Sequence, residues 1–132
     1  MINKIFLVSV LFFSLSISSY QFSDKEIRNM LIEVTSEYAG KLPIRIDSET
    51  LHTGIKAGYE RNLINTYRLT SITANTPELS IFKDLVINSN INNYCTSPGL
   101  AFYRKENIAL HQYYHDLSNK FLFLVKVNKY DC

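Results

Sequence analysis

The chain has 132 residues, 46% hydrophobic and 13% aromatic, with 14 basic and 12 acidic side chains and a formal net charge of +2. That length suits one domain with a single, modest core. The near balance of charge argues against a nucleic-acid partner, which calls for a basic stripe.

Met1 to Lys4 carries one positive charge, Ile5 to Ile17 is apolar apart from serines, and Ser16 and Ser18 put small side chains at the −3 and −1 positions of a cleavage site. This is the pattern of a secretory signal peptide over residues 1–18. Thirteen apolar-biased residues fall short of the roughly 20 that a bilayer span requires. The expected mature chain, residues 19–132, is a single domain, periplasmic or secreted. No cysteine near the cleavage site stands ready to carry a lipid, so no stable membrane anchor is expected after cleavage.

Phe22-Ser23-Asp24-Lys25-Glu26-Ile27 predicts a helix start in which Ser23 and Glu26 form a capping box and Phe22 can pack on Ile27. Ile27, Met30, Leu31, Val34 and Tyr38 follow at helical spacing as a core-facing stripe, and Gly40 and Pro43 end it. From Ile44 the period becomes two: Ile44 and Ile46, a break at Asp47-Ser48, then Leu51, Thr53, Ile55 and Ala57. Gly58 to Arg61 is a turn, and Leu63, Tyr67 and Leu69 belong to a second strand, antiparallel to the first and ending near Thr73. Thr76-Pro77-Glu78 predicts a second helix, capped by Thr76, with Leu79, Phe82, Leu85 and Val86 facing inward. It is expected to weaken through Asn88 to Asn93, where asparagines favour local side-chain bonding. Leu100, Phe102 and Tyr103 pack from a short helical turn. A closing hairpin pairs Ile108–His115 with Phe121–Lys129. The expected fold is α+β: an antiparallel sheet of about four strands with two helices packed on it, in the order helix-strand-strand-helix-strand-strand.

Cys95 and Cys132 are the chain's two cysteines. In an exported chain they predict a disulfide closing a loop of about 38 residues. No catalytic, cofactor-binding or metal site is legible. His111, His115 and Asp116 invite a zinc reading, but on a strand the two histidines stand roughly 13 Å apart. His52 has no triad pattern around it. Asp47 and Glu49 belong to a turn, where carboxylates bond backbone.

Leu42-Pro43-Ile44 after an amphipathic helix, Thr50-Leu51 opening a strand, Tyr94-Cys95-Thr96-Ser97-Pro98 after a second helix, a strand from Ile108 and a terminal Cys132 resemble the small disulfide-bonded pilotins of type II secretion. Those lipoproteins grip a short helix at the secretin's C-terminus and carry it to the outer membrane. The resemblance implies a pilotin-like fold and a protein partner, although their lipid-bearing cysteine has no counterpart here. The functional expectation is an exported, non-enzymatic protein-binding module, its partner a segment such as an amphipathic helix of a secretion or envelope component. Two other classes fit the same features: a small secreted effector or hydrolase whose site is assembled only by folding, and a periplasmic inhibitor or immunity protein.

Overall fold

A computed structural model describes residues 21–132; the signal-peptide reading of residues 1–18 lies outside the described residues. Helix α1 (Asp24–Ala39) starts as its sequence dictates. Glu26 N–H donates to Ser23 Oγ at 3.1 Å, and Ser23 N–H donates back to Glu26 Oε1 at 3.0 Å. Two of the four N–H groups that every helix start leaves unpaired are thereby satisfied. Ile27, Leu31, Val34 and Tyr38 are buried along one stripe.

Strands β1 (Ile44–Asp47), β2 (Thr50–Ala57) and β3 (Asn62–Leu69) follow, then helix α2 (Leu79–Thr96), a 3-10 turn at Pro98–Leu100, the short helix α3 (Ala101–Lys105), strands β4 (Ala109–Asp116) and β5 (Phe121–Val127), and a closing 3-10 turn at Lys129–Asp131. The sheet has five strands in the order β1-β2-β3-β4-β5, not about four. The break at Asp47-Ser48 is a complete reversal. Glu49 N–H donates to Asp47 Oδ1 at 2.9 Å, and Ile44 pairs with His52, so Ile44–Asp47 is a strand of its own.

The sheet is also mixed rather than antiparallel, because β3 and β4 pair in parallel from Asn62↔Ala109 to Leu69↔Asp116. Strands separated by a helical crossover can return in parallel, whereas hairpin-linked strands cannot. The two hairpins therefore join through their inner strands.

Two further corrections concern α2. It begins at Leu79 rather than at Pro77, since Thr76 Oγ1 accepts from Thr73 N–H and closes a turn instead of capping the helix. It does not weaken through Asn88–Asn93. Asn90 is buried, and its amide nitrogen donates to Val86 O at 2.9 Å and to Tyr114 Oη at 3.2 Å, so tertiary partners hold what local propensity would release.

Both long helices cover one face of the sheet. That face carries Leu63, Asn65, Tyr67 and Leu69 of β3 opposite Leu110, Gln112, Tyr114 and Asp116 of β4. Rings stack across four adjacent strands: His52 on Tyr67 at 4.8 Å between centroids, Tyr67 on Tyr114 at 5.0 Å, and Tyr114 on Phe123 at 4.9 Å.

Arg61 locks the sheet to the helices. It sits at φ 46°, a left-handed conformation unusual for a side-chain-bearing residue. Its guanidinium donates to Phe22 O and Glu106 O, both at 2.6 Å, and pairs with Asp24 and Glu106. The start of α1, the β2–β3 turn and the end of α3 thus meet on one side chain. Arg61→Ala is expected to cost about 2 kcal/mol through these lost bonds. Arg61→Gly is expected to recover about 1 kcal/mol of that loss by relieving the backbone. Urea midpoints of the three proteins check both steps; equal midpoints for wild type and Arg61→Ala would remove the clamp from the argument.

Candidate functional site

The polar side chains on the covered face form a continuous row. His52 Nε2–H donates to Asn65 Oδ1 at 3.0 Å, Asn65 Nδ2–H to Gln112 Oε1 at 2.9 Å, and Gln112 Nε2–H to Asn90 Oδ1 at 3.2 Å. Burial lowers the His52 pKa to about 4, against smaller opposing contributions from Asn65 and the Gly54 backbone. A shifted histidine is often a catalytic sign, but His52 has 0% exposure and no solute reaches it. Burial also drives the Tyr67 and Tyr114 hydroxyls above their ordinary range and pushes Tyr94 up to about 12. Tyr94 Oη donates to Ile108 O at 2.8 Å. This row holds the core together and has no opening for chemistry.

The residues that invited a zinc reading are divided by the sheet. His111 and His115 both lie on the uncovered face of β4, four residues apart on a strand, whereas Asp116 lies on the covered face and accepts from Lys120 N–H at 2.9 Å. Among the described residues, no group of three or more His, Cys, Asp or Glu side chains is placed to share a metal ion.

The feature best suited to a partner is an apolar slot of about 140 Å³ where the first half of α2 overhangs the sheet. Phe82, Leu85, Val86 and Ser89 form its helical wall, and Leu69 and Tyr114 line it from β3 and β4, with Asp47 and Thr50 from the β1–β2 turn. Leu85 corrects the sequence reading: it is 63% exposed, as is Ile81 one turn earlier, while Val86, Asn90 and Tyr94 face the core. The apolar residues of α2 span more of its circumference than one buried face uses. Ile81 and Leu85 at i, i+4 beside Phe82 and Val86 were the available signal.

Asp47 contributes a polar detail. Its Oδ1 closes the turn as a turn carboxylate should, while its Oδ2 is buried and has no hydrogen-bond partner among the described residues. The predicted disulfide is present: Cys95, near the end of α2, is bonded to Cys132, with the Cα atoms 5.4 Å apart. Among the described residues no helix is long and apolar enough to cross a membrane.

No protein-family model matches the chain, and no curated protein sequence does. Solved structures do match. A presumed secreted protein of Pseudomonas aeruginosa is 17% identical, with 86% of this chain and 99% of that one covered and a TM-score of 0.68. The type 2 secretion system pilotin EpsS of Vibrio vulnificus is 10% identical, with 83% and 94% covered and a TM-score of 0.67. The type II secretion system pilotin AspS of Vibrio cholerae is 12% identical, with the same coverage and a TM-score of 0.63. Likeness at such identities is a likeness of fold, and the fold here is pilotin-like. The disulfide is consistent with an exported protein.

Proposed function

We propose that the protein is an exported, non-enzymatic binding module that receives an amphipathic helix of a secretion or envelope component in the slot beneath α2. The observation that carries this reading is the exposure of Leu85 and Ile81 beside an apolar slot. An amphipathic helix inserts apolar side chains at i, i+3 and i+4 into such a groove. Two structural neighbours are pilotins, whose work is in secretion assemblies, and the fold-level likeness favours a protein partner over a hydrolase substrate.

A photo-crosslinking residue at Leu85 tests this in the periplasm, with the same residue at Thr66, on the uncovered face, as the control. The expected result is one protein captured from Leu85, through a peptide with a helical apolar stripe, and lost when Ile81→Glu is added. Equal capture from both positions, or none from Leu85, would overturn the slot as the binding site.

A further inference from the structure

The face of the sheet turned away from the helices carries a second, chemically different cavity. Lys56, Ile64, His111 and Lys126 stand opposite one another on β2, β3, β4 and β5. The two lysines are three strand spacings apart, about 14 Å along the row. Both line one open cavity of about 530 Å³ with Arg28, Tyr59, Glu60 and Tyr113. That volume lies within the roughly 300–1,000 Å³ of small-molecule sites. Glu60 is the one carboxylate among its lining residues, against three permanent cations. Among the described residues, none of Lys56, Lys126 and Arg28 has a carboxylate within ion-pairing distance.

His111 is held in a defined state at the cavity's floor. Glu60 N–H donates to Asn62 Oδ1 at 3.2 Å, which fixes the amide so that its nitrogen donates to His111 Nδ1 at 3.1 Å. The imidazole proton is therefore on Nε2, leaving that nitrogen as a donor. Asn62 is itself 7% exposed. It is packed so closely over Gly58 that a Cβ there would lie 2.0 Å from Asn62 Oδ1, so the glycine makes room for the side chain that orients the histidine. Burial lowers the His111 pKa, and the neighbouring Lys126 lowers it further against an opposing contribution from Glu60.

Two ammonium groups and one imidazole N–H are three separate donors. They match the three oxygens of a phosphoryl group better than the two of a carboxylate, which suits the planar fork of an arginine. The arginine present, Arg28, has its guanidinium over the Tyr59 ring at 4.3 Å. We infer that this cavity binds a small phosphate-bearing ligand, its phosphate held between Lys56, Lys126 and His111 Nε2–H and its organic part resting on Tyr113. The phosphate belongs to a free sugar phosphate or to a lipid headgroup, and the test separates the two.

The mature protein is titrated with glucose 1-phosphate, glucose and glucuronate, following the His111 and Tyr113 ring signals by NMR. In parallel it is mixed with phosphatidylcholine vesicles with and without phosphatidic acid. Glucose 1-phosphate is expected to shift both rings, glucose to shift neither, and glucuronate to bind at least tenfold more weakly. The Lys56→Gln/Lys126→Gln double variant is expected to lose at least tenfold in affinity. Both lysines are exposed, so its thermal midpoint should match wild type, and Leu85→Glu on the opposite face should bind as wild type. Binding to phosphatidic acid vesicles alone, abolished in the double variant, places the phosphate on a lipid and supports the site. Binding to none of these probes, equal binding of glucuronate, or undiminished binding by the double variant would overturn the assignment.

Discussion

Cys95→Ser or Cys132→Ser is expected to destabilise the domain by about 2–4 kcal/mol, a large share of the roughly 5–15 kcal/mol that holds a small domain together. The bonded pair is 37 residues apart in sequence. A loop of that length carries a closure entropy near 4 kcal/mol in the unfolded chain, less any strain in the folded one. The loop contains α3, β4 and β5, and β4 is the strand that joins the two hairpins. Without the bond, the segment that follows β5 is free to fray from α2. Urea midpoints of the oxidised, reduced and serine-substituted proteins measure the effect. The reduced and substituted forms should agree with each other and fall well below the oxidised form; three equal midpoints would show that the bond contributes nothing. The same penalty predicts poor accumulation in a reducing cytoplasm when the chain is made without residues 1–18.

Acid is expected to weaken the fold through His52. Its folded pKa is about 4, below the 6.5 of an exposed histidine. Above pH 6.5 neither the folded nor the unfolded chain binds the proton, and His52 has no effect on the equilibrium. Between pH 6.5 and 4 the unfolded chain takes it up while the folded chain does not, so stability falls as pH falls through that window. Below pH 4 both forms are protonated, and the accumulated loss levels off at about 3 kcal/mol for a depression from 6.5 to about 4. His111, also lowered, adds in the same direction. The physical cause is the placement of His52: fully buried, with Nε2–H committed to Asn65 and its ring between Tyr38 and Tyr67. A positive charge there would have no counter-ion.

The check is the urea midpoint of wild type and His52→Gln at steps from pH 7 to pH 4. The wild-type curve should fall more steeply, because carboxylate titration is common to both and only wild type carries the buried imidazole. Parallel curves would contradict the argument, as would a His52 ring signal that titrates above pH 5 in the native protein.

Several features of the molecule follow from residues close together in sequence. Ser23 and Glu26 are three apart, and their reciprocal bonds start α1 where the pattern places them. The two cysteines had one possible intramolecular partner each, and they are joined. The alternation of Leu110, Gln112 and Tyr114 sets one face of β4 toward the core whichever strand lies beside it. A capping box, a period of two or a turn carboxylate acts within a few residues, so these features were legible before any tertiary contact was known. The pairing of β3 with β4 was not, because direction across a helical crossover depends on where α2 packs, and that is a property of the whole sheet. The persistence of α2 through its asparagines depended on Gln112 and Tyr114, which lie 22 and 24 residues from Asn90 in the chain. Leu85 read as a core residue because period alone gives a helix an apolar stripe without saying how wide a stripe the sheet can cover. The slot, the buried row and the cationic cavity are made of residues from three or more elements each, and only their assembly brought those residues together.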